Sequence, residues 1–275
     1  MPKLSIIIPT FNSKASIEAC LNSITTQTFR DYEIVVQDGG SSDGTAEKVK
    51  SFQTANSGVD LKLFSEKDEG PYDAMNRGVR RAGGEWLYFL GSDDEFYRAD
   101  VLESIFVRAD IEHAGVVYGN VLIAGEVSWA KDNSIYDGRF DLEKILSRNI
   151  CHQAVFYRTV FHKSIGEYNI KYPVCADWDF NLRCWSKRPF TYVNVIVAKF
   201  CAGGISSTQA DQCFGQDFAR NVFEYFHLSL DDPLLNTPRF AAYGEVVRMQ
   251  QSRAPLRRAF RRIREAVRGR RGLAS

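Results

Sequence analysis

Two carboxylates stand side by side at Asp93 and Asp94, directly after the apolar run Trp86 to Leu90 and the pair Gly91-Ser92. Like charges that close repel, so something has to neutralise or separate them. In an extended chain neighbouring side chains point to opposite faces, so the two share a direction only if the strand has already turned. One reading is structural, with one of the pair capping the next helix. The other is chemical: one ligates a divalent cation while its neighbour caps or holds a ribose hydroxyl. Mg²⁺ suits such a site because it takes one or two carboxylates, waters and the phosphates of a substrate. Mn²⁺ accepts the same oxygen ligands.

Other acidic positions divide the same way. "DGGSSDGT" (38–45) is strong turn and cap chemistry, which accounts for Asp43 as the cap of the following helix. Asp38, one residue past an apolar strand, has less structural reason to be acidic. In "ADWDFNLR" (176–183), Asp179 and Arg183 are four apart and read as a surface ion pair on a helix. Asp177 is offset by two positions and cannot share that face, so it either caps the helix or serves as a base. His152 in "NICHQAVF" reads equally as a core histidine or a site residue, and Trp178 either packs or stacks on a sugar ring. Gly203-Gly204 in "CAGGIS" is a plain turn or a close approach of backbone amides to a diphosphate.

The elements that must position these groups alternate over the first hundred residues. "LSIII" from Leu4 is a β-branched run, as expected of a parallel strand buried on both faces. Ile17, Leu21 and Ile24 follow at helical spacing, then the strand "YEIVVQ", a helix carrying Ala46, Val49 and Phe52, and the strand "LKLF". Tyr72, Met75 and Val79 mark a third helix stopped by Gly83-Gly84, and Trp86 to Leu90 is a fourth strand. Repeated strand–helix units imply an α/β fold with a doubly wound, mixed but mostly parallel sheet and helices on both faces. Ligands of such sheets bind beyond the carboxyl ends of the strands. Those ends carry Pro9-Thr10-Phe11-Asn12, Asp38-Gly39-Gly40, Glu66-Lys67-Asp68 and Ser92-Asp93-Asp94. The first turn, "PTFNSK", has no glycine, which argues against a dinucleotide-binding dehydrogenase and against a P-loop enzyme. After residue 100 the pattern is mixed: "GVVYGNVLIAG" and "VSWA" read as a hairpin, and "FTYVNVIVAKF" as a further strand.

A formal net charge of +1 over 275 residues conceals an asymmetry, because residues 253–275 carry nine arginines against one glutamate. The body is therefore acidic and the tail basic. Leu256, Phe260, Ile263 and Val267 place one apolar stripe among those arginines, the composition of an amphipathic helix on an anionic membrane surface. Nucleic acid is not the expected partner, since no recognised nucleic-acid fold accompanies the patch. Six cysteines with no C-x-x-C pair and no secretory leader read as free thiols in a reducing cytoplasm. No apolar run approaches the roughly 20 residues that span a bilayer.

Taken in order, "SIIIPTFN", "QDGGSSDGT", "GPYDAMNRGVRRAGGEW", "FLGSDD" and "DWDFNLR" resemble the family 2 inverting glycosyltransferases of the GT-A fold, especially bacterial members that build surface polysaccharides. The resemblance covers roughly residues 3 to 206 and implies a role for each matching position. Pro9, Thr10 and Phe11 would wall the nucleobase pocket, Asp38 would bond the base, and Asp68 would lie near the nucleoside. Asp73 and Asn76 would face the donor sugar and ribose. Asp93 looks like the last residue of the D-x-D metal motif, although Gly91 stands where many members have its first Asp. A cation would then be held through Asp93 or Asp94 and the donor diphosphate, with Asp94 also bordering the donor. Asp177 matches the base of an E-D-W-type motif, whose Glu is Ala176 here, and His152 and Trp178 would line the acceptor side.

The implied layout is a nucleotide-sugar half (1–100), an acceptor half (101–215) and a C-terminal helical extension (216–275). The implied partners are a nucleotide-sugar donor, UDP-linked before GDP- or dTDP-linked, and a saccharide or lipid-linked acceptor. The expected location is cytoplasmic, peripheral at the inner face of the plasma membrane. A sugar-phosphate nucleotidyltransferase would need a glycine-rich, basic first loop, which "PTFNSK" is not. A catalytically silent membrane-docked scaffold of the same fold is the remaining alternative, permitted by the missing first Asp.

Overall fold

The computed structural model describes residues 1–107, 111–127, 130–202, 209–229, 231–233 and single positions within 241–249. The chain divides into two units, Met1–Phe214 and Gly215–Ser275. The first opens with β1 (Leu4–Thr10), α1 (Ile17–Thr25), β2 (Tyr32–Asp38), α2 (Thr45–Ala55), β3 (Leu61–Ser65), α3 (Pro71–Arg81) and β4 (Trp86–Phe89). It continues with β5 (Glu95–Phe96), α4 (Val101–Phe106), β6 (Val116–Ala124), β7 (Ile135–Tyr136), α5 (Leu142–Ser147), a 3₁₀ turn at His152–Ala154 and β8 (Val155–Arg158). α6 (Thr159–Ile165), α7 (Ala176–Lys187), β9 (Thr191–Cys201) and the start of α8 (Gln212–Phe226) complete it. The rest of α8 makes up most of the described part of the second unit. The arginine-rich stretch 253–275 and Gly203-Gly204 lie outside the described residues.

The strands form one sheet in the order β3-β2-β1-β4-β8-β6-β9-β5, with β7 on the side of β6. β1 pairs in parallel with both β2 and β4, and β2 with β3, so four strand ends reach one rim. The direction reverses at β8, which is antiparallel to β4 and β6, while the long β6–β9 pairing is parallel again. The strand that hairpins with β6 is β7, through Val121–Tyr136 and Leu122–Ile135. "VSWA" was the expected partner, but Val127 and Ala130 make only an isolated bridge with each other.

Both faces of β1, β2 and β4 are buried, which is why these strands read as largely unbroken apolar runs. Leu4, Ile6, Ile8, Ile34 and Val36 pack with Ile17, Leu21 and Ile24 of α1, Val49 of α2 and Leu102 and Ile105 of α4. On the alternate positions Ile7 meets α3, and a Cβ on Gly78 would stand 2.4 Å from its side chain. Gly84 brings the connection after α3 against β1 so closely that a Cβ would lie 2.5 Å from the Ser5 amide. A carboxylate is buried in the middle of the parallel half of the sheet. Glu33 of β2 accepts from Ser5 Oγ (2.5 Å), Lys62 Nζ (2.6 Å) and the Gly83 amide (2.6 Å). Burial alone would raise its carboxyl, but these donors hold it below the ordinary glutamate range.

Candidate active site

The loop after β1 is tied to the loop after β2. Asn12, with a left-handed φ of 50°, donates its amide to Ser41 Oγ (2.7 Å) and accepts from the Ser42 amide (3.0 Å). Pro9 is half-buried, Phe11 is 63% exposed, and Thr10 is buried with its hydroxyl unpartnered. Phe11 thus leaves an open ring at the rim, while the Thr10 hydroxyl is enclosed beneath it without a partner. Asp38 does not share this openness. It is fully buried, with both oxygens taken by the Ser41 amide and hydroxyl and by Ser65 Oγ (2.5 Å). The carboxylate thereby folds the turn that carries the rim. The open acid there is Asp68, whose Oδ1 accepts from the Gly70 amide (3.0 Å) while a Cβ on Gly39 would lie 2.8 Å from its Oδ2. Burial and the negative charges of Asp73 and Asp38 raise its carboxyl above the ordinary value.

Two positions on α3 are bonded within the protein. Asp73 accepts from the Glu69 amide (3.1 Å) and pairs with Arg77 (2.8 Å), bracing the helix start. Asn76 is buried, donating to the Tyr168 carbonyl (3.0 Å) and accepting from the Tyr168 amide (2.8 Å). These bonds use one of the two Nδ2 hydrogens and one Oδ1 lone pair of Asn76.

The adjacent carboxylates at the end of β4 separate. Asp93 points to solvent. Asp94 is buried, its Oδ1 accepting from the Cys201 amide (2.9 Å) and its Oδ2 from Gln153 Nε2 (2.7 Å). Burial, and then the charge of Asp93, push its carboxyl up to about 7. The like charges are thus relieved by geometry and by partial neutralisation. With both oxygens committed, Asp94 anchors the rim, and Asp93 stays exposed beside it. Among the described residues no group of three His, Cys, Asp or Glu side chains could hold a metal by itself.

Asp177 stands in the first turn of α7, 8% exposed. Its Oδ1 lies 2.9 Å from the Tyr72 hydroxyl and 2.8 Å from the Trp178 amide, and its Oδ2 accepts from Asn149 Nδ2 (2.8 Å). Burial raises the carboxyl from 3.8 to about 6, against the lowering pull of those donors. His152 Nδ1 approaches Oδ2 at 3.9 Å, and its Nε2 is enclosed without a partner. Burial depresses this imidazole to about 4, so the contact is not an ion pair at neutral pH. Trp178 donates its indole N–H to the Ile145 carbonyl (2.8 Å) and packs on Phe214 at 5.3 Å, which uses it in packing. Asp179 forms the anticipated pair with Arg183 (3.0 Å), but it is 1% exposed rather than on the surface.

Three residues of this arrangement carried no chemical reading in the sequence. Tyr72 was masked by its place in an apolar helical stripe, Asn149 gave no signal, and Gln153 gave only its adjacency to His152. The 3₁₀ turn joins the two carboxylate sites, since His152 faces Asp177 and Gln153 holds Asp94.

A family model described as glycosyl transferase family 2 matches residues 5–168, more than half of the chain. The chain belongs to glycosyl transferase family 2. A PGL/p-HBAD biosynthesis glycosyltransferase of Mycobacterium tuberculosis is 45% identical over 219 residues, covering 78% of this family 2 chain and 82% of that one. A GalNAc(5)-diNAcBac-PP-undecaprenol beta-1,3-glucosyltransferase of Campylobacter jejuni is 37% identical over 134 residues, 49% of this chain and 43% of its own. Among solved structures, S. aureus TarS 1-349 in complex with UDP-GlcNAc superposes with a TM-score of 0.65 at 21% identity, covering 81% of this chain and 65% of that one. The mannosyltransferase PcManGT from Pyrobaculum calidifontis, in complex with GDP-Man and Mn²⁺, gives 0.56 at 18% identity over 84% and 65%. The fold is accordingly of the GT-A type, and the family 2 enzyme is a glycosyltransferase.

Proposed function

We propose that this glycosyltransferase moves a sugar from a nucleoside-diphosphate donor to a saccharide or lipid-linked hydroxyl, with inversion and with Asp177 as the base. The observation that carries the reading is the 3₁₀ turn linking a solvent-facing carboxylate rim to a buried, partner-rich carboxylate of raised basicity. The acceptor oxygen attacks the anomeric carbon, the bond from that carbon to the diphosphate oxygen breaks, and the diphosphate leaves with the electron pair. The acceptor's proton passes to Asp177. A base near 6 remains far weaker than an alkoxide, so the proton moves late in the displacement, and such a base contributes roughly 10²–10⁴-fold. His152 Nε2, enclosed and unpartnered, is the group suited to bond an acceptor hydroxyl beside it.

The residues fit a divalent cation held largely by the donor. Asp93 offers an exposed carboxylate, and Asp94 fixes the turn that presents it. Such a cation, when bound, supplies charge neutralisation for the departing diphosphate. Phe11 and Asp68 border the nucleoside in this reading. UDP is the first candidate, supported by the UDP-GlcNAc held by TarS, and GDP the second, by the GDP-Man held by PcManGT. The undecaprenol-linked acceptor in the name of the Campylobacter relative supports a lipid-linked one here. The arginine-rich tail would bring the enzyme to an anionic membrane at its cytoplasmic face.

Thermal melting with UDP, GDP, dTDP and CDP, each with and without Mn²⁺, tests the donor site. A rise with one nucleotide that requires Mn²⁺ and is absent in Asp93→Ala is the expected result. No rise with any nucleotide overturns the assignment.

A further inference from the structure

Tyr72 belongs to α3, on the donor side of the rim, yet its hydroxyl ends at Asp177, 105 residues along the chain. The hydroxyl is buried and lies within bonding distance of two acceptors, Asp177 Oδ1 at 2.9 Å and the Val174 carbonyl at 2.8 Å. A phenol has one proton to donate, so it can serve only one of the two at a time. The two choices correspond to the two states of the carboxyl. While Asp177 is ionised, Tyr72 donates to it. Once Asp177 carries a proton, that proton can be donated to the phenol oxygen, and Tyr72 turns its own to Val174.

We propose that Tyr72 is the positioning residue of the base, satisfying Asp177 both before and after it takes the acceptor's proton. The inference rests on the reading of Asp177 as that base. The surroundings favour such a device because, among the described residues, no Lys or Arg side chain is paired with the carboxylate. The titratable groups facing Asp177 are Tyr72 from α3, Tyr136 from β7, Cys151 and His152 beside the 3₁₀ turn, Tyr157 from β8, Tyr168 from the loop before α7, and Cys175. Burial keeps the phenols and thiols protonated and the imidazole unprotonated through the neutral range. On its own helix, Asp179 is paired with Arg183. Hydrogen bonds therefore do the work that charges do elsewhere. Among them, the Tyr72 bond is the largest lowering influence on the Asp177 carboxyl.

The test is Tyr72→Phe, which keeps the ring and removes only the hydroxyl. The acid limb of kcat/KM should move to higher pH, by about half a unit or more, with the donor KM unchanged. A limb that coincides with wild type overturns the proposal. Should the Phe variant fail to fold, 3-fluorotyrosine placed at position 72 carries the test, because a more acidic phenol is a better donor. It should move the limb to lower pH, and a limb that stays put or rises is refuting. Asp177→Asn separates the two ideas. Retained activity there locates the failure in the base assignment, whereas lost activity with an unmoved Tyr72→Phe limb locates it in Tyr72. A direct ¹³C titration of the Asp177 carboxyl in wild type and Tyr72→Phe reads the coupling whichever group is the base, and identical titrations overturn it.

Discussion

Replacing Asp177 with Asn should stabilise the enzyme while disabling it. The folded carboxyl is raised from 3.8 to about 6 by burial. At about 1.4 kcal/mol per pH unit, an ionised Asp177 costs the fold about 3 kcal/mol at pH 8. The folded state binds this proton more tightly than the unfolded chain, so the contribution of Asp177 to stability is fully present below about 4 and is lost as pH rises through about 6. An amide removes the cost but brings a mismatch. Asn149 donates to Oδ2 and is kept from flipping because its own Oδ1 accepts from Asn181 Nδ2 (2.9 Å). Two facing N–H groups there return about 1 kcal/mol. The net gain is about 2 kcal/mol at pH 8, or roughly 5 °C in melting temperature for a chain of this size, and it should shrink to about a third of that at pH 5. In parallel kcat should fall by roughly 10²–10⁴-fold. The measurement is a pair of melting series at pH 8 and pH 5 beside a steady-state assay. If Asp177→Asn melts below wild type at pH 8, or if the gap does not change with pH, the reasoning from burial is refuted.

Wild-type kcat/KM should fall tenfold per pH unit below about 6, where Asp177 takes up a proton; a flat profile from pH 5 to 8 would remove the base. Asp93→Ala should leave the ligand-free melting temperature unchanged, since the side chain is exposed, whereas Asp94→Ala should lower it. The second change leaves the Cys201 amide and Gln153 without an acceptor, a loss of about 2 kcal/mol; equal effects in the two variants would contradict the split between them. Glu33→Ala should cost about 3 kcal/mol in a denaturant titration because Ser5, Lys62 and Gly83 all lose a buried acceptor. Gly84→Ala should destabilise by about 1–3 kcal/mol, since the new methyl meets the β1 backbone rather than a movable side chain; a neutral result would show that the approach can relax.

The strand–helix alternation of the first hundred residues was legible because a strand buried on both faces leaves an unbroken apolar signature, as β2 does. The identity of β7 was not, since a two-residue strand carries too little pattern to compete with "VSWA". At the site, Asp177 and Asp93 could be picked out because an acid at an element boundary is conspicuous. The partners of the other polar groups were not legible. For Asn76 and Asp38 the direction of the side chain is decided by whichever partner arrives. Here those partners are the Tyr168 backbone and Ser65, neither of which is marked by local spacing. Tyr72 is the converse. Its ring obeys the apolar period of α3 while its hydroxyl answers to residues more than a hundred positions away.

Asp94 joins the end of β4 to Gln153 and to the Cys201 amide, residues 59 and 107 positions further on. That seam bears on how such an enzyme can be recombined. A chimaera spliced near residue 100, taking its first half from a relative with another donor preference, would set an imported carboxylate against a resident glutamine and a resident backbone. Swaps that respect the seam have to transfer position 94, the 152–154 turn and the close of β9 as one inherited block, even though the chain interleaves them with segments free to vary. Donor preference and acceptor preference are on this account not separable cassettes, and a library that shuffles them at the apparent midpoint would discard most of its members for misalignment rather than misfolding.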